Sequence, residues 1–356
     1  MARNKAKVQG QRQRAKRDDV CRACGVSSAT VSRVLNNKPG VGSEVRQKVL
    51  AAARDLNYVP QAAARHLSQA RTDTVGIVFQ DLTPGWFLTI FRGIVTRCSG
   101  VYDVLNSLSV RSGDELELPK RMLAERRVDG LIWLDQRVSP RMISRIRELG
   151  VPVVLIQMPN DDPRTSSVCI ETRDGSADAV RHLLELGYKR IALVTGPKGA
   201  VDSDYKLAGA MRAFREFGIE IPSHDILEGH HLASFAVKAI GERFATRPRP
   251  DAIFAFNDEM AIAIVLWLRE QGFRVPEDVA VVGFDGIPEA RLMGLTTVET
   301  PLYDMGVVAA QLLIEAIKSP ASHQNARQVV LKGQLCIRET CGAKLKQARI
   351  RPSPPA

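Results

Sequence analysis

A chain of 356 residues, 45% of them hydrophobic, has material for two or three domains with ample core. The net charge of +11 is unevenly spread: residues 1–70 hold 14 Lys and Arg against 4 Asp and Glu, the last fourteen add 4 basic residues and no acid, and 71–342 hold 32 basic against 35 acidic. A basic head on a slightly acidic body points to nucleic acid at one end and something else at the other, although a solvated basic tail would explain residues 1–17 alone.

Met1 to Arg17 contains no apolar run of the kind a secretory signal needs, and no stretch approaches the roughly 20 apolar residues that span a bilayer. Six scattered cysteines do not form a disulfide framework. The expectation is a reduced, cytoplasmic protein with no membrane partner.

Residues 1–16, mostly Lys, Arg and Gln, are expected to be a disordered basic arm within reach of phosphates. A first helix is expected from about Asp18 to Cys24, its acidic first turn suited to a helix N-terminus. Cys21 and Cys24 lie one turn apart. A metal clip would need a second Cys or His pair at zinc spacing, and none follows, so packing is the favoured reading.

Gly25 to Asn36 reads Gly-Val-Ser-Ser-Ala-Thr-Val-Ser-Arg-Val-Leu-Asn. Ser27 or Ser28 stands where an N-cap belongs, and Val31, Val34 and Leu35 make one apolar face. The other face carries Ser28, Ala29, Ser32, Arg33 and Asn36, small or hydrogen-bonding residues. Arg can reach a guanine edge, and Asn an adenine edge or a phosphate. The pattern is that of a helix-turn-helix recognition helix, and also that of any amphipathic helix with a serine cap.

Lys38-Pro39-Gly40 breaks this helix, and Ser43 is expected to cap a third, Glu44 to about Leu56, with Val45, Val49, Ala52 and Leu56 inward. Pro60 then opens Gln-Ala-Ala-Ala-Arg-His-Leu-Ser, which favours a helix but is too short to hold one alone in water. Residues 60–70 are therefore expected to order only when docked.

From Thr74 strands and helices alternate. Strands are expected at Val75–Phe79, 128–134, 151–156, 190–196, 251–256 and 279–284, and helices at 86–97, 174–186, 204–217 and 258–271. This is the grammar of two doubly wound parallel-sheet lobes, in which ligands bind beyond the carboxyl ends of strands. Those ends carry Gln80-Asp81, Gln157, the run Gly196 to Asp204, Asn257-Asp258 and Asp285. Amides and carboxylates converging on one cleft suit a hydroxyl-rich small ligand. Paired acids can also do acid–base work, but no Gly-rich phosphate loop, nucleophile elbow or metal-spaced His pair is present. No catalytic, metal or cofactor site is expected, and the doublet His230-His231 reads as surface or ligand-lining.

These motifs give the chain a resemblance to the LacI/GalR family of bacterial transcription regulators over about residues 16–340. It is carried by Gly25 to Asn36 together with Val49-Leu-Ala-Ala-Ala-Arg-Asp-Leu-Asn-Tyr-Val-Pro, and supported by Val128-Asp-Gly-Leu-Ile, Leu186-Gly-Tyr-Lys-Arg-Ile-Ala, Phe256-Asn-Asp-Glu-Met-Ala and Val281-Val-Gly-Phe-Asp-Gly. The resemblance implies a homodimer with a helix-turn-helix head (17–59), a hinge helix (60–70), an effector-binding and dimerisation core (71–340) like a periplasmic binding protein, and here a basic tail (341–356). The N-lobe would comprise about 73–171 plus 301–328, and the C-lobe about 172–299 plus 329–340.

Carried over residue by residue, Ser28, Ala29 and Arg33 would read bases in a palindromic double-stranded operator, and Ser27, Thr30, Ser32 and Asn36 would position the backbone. Ala64 and Leu67 fall on the hinge, Leu67 where a leucine wedges into the minor groove. Asn257 and Asp285 match effector ligands, and Trp86, Phe87 and Leu302 the apolar pocket wall. The departures bear on the ligand. Lys206 stands where the family has an arginine, Gln157 where sugar binders commonly have an aspartate, and His231 near an aromatic position. With His230 alongside, these lean toward a sugar acid or polyol over a simple neutral sugar. Lys16 and Arg17 replace a threonine cap and a buried leucine, and no leucine-heptad tail follows Gly342.

The expected function is thus a ligand-responsive repressor of a carbohydrate or sugar-acid operon. A solute-binding protein would share the core without the basic head, and an enzyme would need a catalytic constellation.

Overall fold

The computed structural model describes residues 15–36, 38–58, 71–79, 84–108, 117–134, 140–148, 150–158, 162–319 and 326–345. The expected basic arm up to residue 14, the whole of the hinge (60–70) with Ala64 and Leu67, the Gln80-Asp81 strand end and the tail from 346 lie outside them. The chain divides into two compact units, Met1–Thr72 and Asp73–Ala356.

The first unit is three short helices: α1 (Arg17–Cys24), α2 (Ser28–Leu35) and α3 (Ser43–Asp55). Val20, Val31, Val34, Val49 and Ala53 bury together from all three. Without a threonine cap, α1 starts by another device: the Asp19 carboxylate reaches back to accept from Lys16 N at 2.7 Å. Cys24 donates its thiol to Val20 O, and both cysteines pack at the edge of this core. Two expectations about α3 are corrected. Gly42 is the N-cap and Ser43 the first helical residue, with no side-chain cap bond. Ala53 is buried, whereas Leu56 is 37% exposed: it shares the helical phase of Val49, but as the C-cap it lies outside the buried cluster of the three helices.

The second unit contains two six-stranded sheets. The first lobe holds β1 (Thr74–Phe79), α4 (Pro84–Cys98), β2 (Asp103–Leu108), α5 (Glu117–Ala124), β3 (Gly130–Leu134), α6 (Pro140–Arg147), β4 (Val153–Ile156) and β5 (Ser166–Glu171). The chain then enters the second lobe with α7 (Thr172–Glu185), β6 (Ile191–Thr195), α8 (Val201–Glu216), β7 (Ile226–Glu228), α9 (Ala233–Phe244), β8 (Ala252–Ala255), α10 (Asp258–Glu270), β9 (Ala280–Asp285), α11 (Pro288–Leu292) and β10 (Thr296–Glu299). It returns for α12 (Leu302–Lys318) and β11 (Gln328–Lys332), and crosses once more to β12 (Gln334–Cys336).

Strand order is β11-β5-β4-β3-β1-β2 in the first sheet and β12-β10-β9-β8-β6-β7 in the second. All pairings are parallel except β12 with β10. The final change of lobe therefore falls at Gly333, not at 328/329: β11 pairs with β5 through Lys332 and Glu171. Strands such as Gly130–Leu134 and Ile191–Thr195 are buried at every position, as expected where helices cover both faces. Helices α4 and α12 cross with their backbones in contact. A Cβ on Gly93 would stand 2.1 Å from Tyr303 O, and one on Gly306 2.1 Å from Ile90 O, so only glycine fits at either place.

Candidate functional site

In the head, Ser27 caps α2: its Oγ accepts from Thr30 N at 3.1 Å and lies 2.9 Å from Thr30 Oγ1. Asn36 Nδ2 donates to Ser32 Oγ at 3.3 Å. The four expected backbone-positioning residues are thus joined in two local pairs. Ala29 and Arg33 are exposed and Ser28 is half-buried, on the side of α2 opposite the buried Val31 and Val34. The Arg33 side chain passes Gly40, its Nη1 lying 3.8 Å from where a Cβ on that glycine would stand.

In the second unit, a cavity of about 590 Å³ opens where strand ends of both lobes meet. From the first lobe come Trp86, Leu134, Ile156, Gln157 and Ile170. The second adds Thr172, the turn Pro197–Ala200, Asp202, Lys206, the stretch 230–232, Asn257, Phe284 and Asp285, with Thr300 at the crossover. The structure brings together six of the eight expected effector residues: Trp86, Gln157, Lys206, His231, Asn257 and Asp285. Phe87 and Leu302 are not lining residues. Both are core, 4% and 2% exposed, and Phe87 packs on Phe79 with ring centroids 4.2 Å apart. Successive helical residues point about 100° apart, so the turn that shows Trp86 to the cavity sends Phe87 inward.

Lys206 is the centre of the polar network. Its Nζ donates to Phe256 O at 2.9 Å, pairs with Asp202 Oδ2 at 2.8 Å, stands 3.9 Å from Asp285 Oδ1 and lies 4.2 Å over the Phe284 ring. Burial alone would lower its pKa; the charges of Asp202 and Asp285 outweigh this and hold it above the ordinary lysine value. Burial likewise raises Asp202, but Lys206 and His231 reverse the shift, leaving it below the usual carboxylate value.

Asp285 differs. Burial drives its pKa well above normal, Lys206 relieves this only in part, and Asp258 and Asp202 add repulsion. Its backbone is left-handed, φ 114°, an expensive geometry for a non-glycine residue and one that aims a side chain off the strand end. His231, also left-handed at φ 61°, has its pKa pushed down to about 4 by burial and by Lys206, so its ring is neutral near pH 7. A Cβ on Gly196 would stand 2.1 Å from His231 Nε2, so the glycine makes room for this ring.

Asn257 N-caps α10, its Oδ1 accepting from Met260 N at 2.9 Å while Nδ2 donates to His231 O at 3.2 Å. One carbonyl lone pair is thus engaged by the helix and one amide hydrogen by His231 O, which leaves one of each for a ligand among the described contacts. Asp258, at the next position, is structural: its carboxylate accepts from Gly286 N, Ile287 N and Thr297 Oγ1, and burial raises its pKa to about 7.

Asp202 and Thr172, two polar residues that line the cavity, are not among the expected effector residues. Asp202 was legible from its spacing, one helical turn before Lys206 on α8. Thr172 has no such signal: it opens α7, is 3% exposed and lines the cavity, and its buried hydroxyl has no hydrogen-bond partner among the described residues. Among the described residues, no His, Cys, Asp and Glu group is arranged to hold a metal ion, and no helix is long and apolar enough to cross a membrane.

Comparison with known proteins agrees with this architecture. The profile of bacterial regulatory proteins of the lacI family matches residues 18–61, and that of a periplasmic binding protein-like domain matches residues 180–341. The catabolite control protein A of Priestia megaterium is 34% identical over 300 residues, 83% of this chain and 90% of that protein. The HTH-type transcriptional repressor PurR of Photobacterium profundum is 32% identical over 330 residues, 90% of this chain and 97% of the other. Among solved structures, the lac repressor dimer bound to operator and the anti-inducer ONPF matches with a TM-score of 0.81 at 26% identity, covering 92% of this chain and 99% of that one. A complex of the transcriptional regulator CelR with cellobiose matches at 31% identity and a TM-score of 0.69, covering 92% and 100%. These relatives are transcriptional regulators, not enzymes. The chain therefore belongs to the lacI family of ligand-responsive, DNA-binding bacterial transcription regulators.

Proposed function

We propose that the protein is a cytoplasmic, dimeric repressor whose paired heads bind a palindromic operator, and whose core cavity takes a neutral, hydroxyl-rich effector, a sugar or polyol, in control of a carbohydrate operon. In the head, Arg33 reads a guanine edge from the exposed side of α2, with Ser28 and Ala29 beside it and the pairs Ser27–Thr30 and Ser32–Asn36 against the backbone. Residues 60–70 fold on the operator, with Ala64 and Leu67 in the minor groove and Leu67 as the wedge; unstacking a base step costs a few kcal/mol, offset by bending and new contacts.

Asp285 carries the ligand reading. A buried carboxylate whose one charge partner among the described residues is 3.9 Å away is costly to leave unsatisfied. Hydroxyl donors from a ligand would satisfy it, with the Thr172 hydroxyl and the remaining Asn257 amide hydrogen as further contacts. A sugar acid fits less well than the lysine and histidines alone suggest, because Asp202 answers Lys206 and His231 is neutral. Calorimetry with neutral saccharides, polyols and sugar acids, followed by gel-shift with operator DNA, tests the proposal. A ligand that binds the core and leaves operator affinity unchanged would count against it, since a ligand shifts DNA binding only through differential affinity for two conformations.

A further inference from the structure

The lysine in the cavity is already committed. One Nζ hydrogen goes to Phe256 O and another to Asp202 Oδ2. Asp202 is itself held on both oxygens, because Gln157 Nε2 donates to its Oδ1 at 3.1 Å. The orientation of the Gln157 amide is dictated by its neighbours: its oxygen accepts from Ile170 N at 3.0 Å, and a backbone N–H can only face an acceptor, so the NH2 must face the carboxylate. The relay Ile170 N–H to Gln157 to Asp202 to Lys206 runs from β4 and β5 of one lobe to α8 of the other.

The other basic side chains at the cavity do not replace Lys206. Lys198 is exposed, and the Glu228 carboxylate beside it accepts from its backbone N. His230 Nδ1 lies 3.5 Å from the same Glu228. Asp285 adds a second carboxylate 3.9 Å from Lys206 Nζ. A ligand carboxylate entering here would meet two acids and one lysine whose charge is already met.

We infer that Asp202 is the charge-selecting residue of the cavity: by pairing with Lys206 under the hold of Gln157, it denies ligand anions their counter-charge and restricts the site to uncharged hydroxyl-rich molecules. The inference rests on the reading of this cavity as a hydroxyl-binding effector site. It makes Lys206 a positioning residue for Asp202 and Asp285 in the wild-type protein, and a latent anion site once Asp202 loses its charge.

The test is calorimetry on the full-length protein with three matched pairs: glucose and glucuronate, galactose and galacturonate, cellobiose and cellobionate. The variants are Asp202→Asn, Asp202→Ser (should the first fail to fold) and Asp202→Asn combined with Lys206→Met. Wild type is expected to favour the neutral member of whichever pair binds. Neutralising Asp202 should shift the neutral-to-acid affinity ratio toward the acid by about tenfold or more. The shift should vanish in the double variant, which a merely structural role for Asp202 would not predict. Wild type binding the acid as tightly as its neutral partner, or an unchanged ratio in both single variants, would overturn the charge-selection role and leave the effector site standing. Failure of every pair to bind would instead take down the effector-site reading, and the inference with it.

Discussion

Gln157 and Asp202 join the two lobes beside the cavity, amide nitrogen to carboxylate oxygen at 3.1 Å, with the glutamine oxygen accepting from Ile170 N at 3.0 Å. Gln157 holds this position on left-handed backbone, φ 55°, at the end of β4. Removing its side chain leaves a backbone donor and a carboxylate oxygen each without its present partner. Gln157→Ala is expected to cost about 1–3 kcal/mol in denaturant unfolding of the core. Calorimetry should show weaker effector binding as well; a variant as stable as wild type with unchanged ligand affinity would show that the bridge contributes nothing.

Arg33 lies on the exposed side of α2, and the opposite side of the helix buries Val31 and Val34. Arg33→Ala should cost about 1–3 kcal/mol per half-site and relax preference at one operator position. The measurement is affinity for a set of single-base operator variants. A uniform loss on all of them would mark Arg33 as a phosphate contact only.

The pH dependence of stability has a definite sign at His231. Its ordinary value is 6.5, and burial with Lys206 brings it to about 4 in the folded protein. Above 6.5 the ring is neutral folded or unfolded, and the fold keeps its full stability. As pH falls from 6.5 toward 4, the unfolded chain takes up a proton that the fold resists, so stability is lost in that window. Asp258 works the other way: raised to about 7, it favours the fold at low pH and withdraws that contribution as pH rises toward 7. Comparison of wild type with His231→Asn isolates the histidine. The variant should lose less stability on acidification between pH 6.5 and 4.5, and parallel curves would show that His231 titrates normally.

Much of the core was legible because parallel strands covered on both faces are continuous apolar runs, as in Ile191–Thr195 and Ala252–Ala255. Strand β2, Asp103–Leu108, is an edge strand with Asp103 and Asn106 exposed, and it has no such run. The polar strand ends of the cavity were legible through topology, since ligands in doubly wound sheets lie beyond carboxyl ends. Helical phase at single residues was not: Phe87 and Leu302 are apolar neighbours of lining positions, and only packing tells inward from outward. The pairing of Lys206 with Asp202 is within reach of the i,i+4 rule, but the helix cap made by Asn257 and the Thr172 hydroxyl, without a partner among the described residues, emerge only from the folded packing.

Gly196 is conformationally ordinary, yet has no space for a side chain: a Cβ would stand within 2.8 Å of three atoms of the His231 ring. Gly196→Ala should push the imidazole out of its place and reduce effector affinity by about tenfold or more. Operator affinity without ligand should stay at the wild-type level. Calorimetry beside gel-shift checks both, and wild-type effector binding by the variant would show that His231 plays no part in the site.

In the proposed mechanism, one cavity, through Asp285, controls DNA binding by the head. The most direct test of this control is operator binding by fluorescence anisotropy, with and without the neutral saccharide that calorimetry selects, for wild type and Asp285→Ala. Wild type should change its operator affinity when the saccharide is added, whereas Asp285→Ala should bind the same operator equally well and not respond. A full wild-type response in Asp285→Ala, or operator affinity in wild type that no cavity ligand alters, would contradict it.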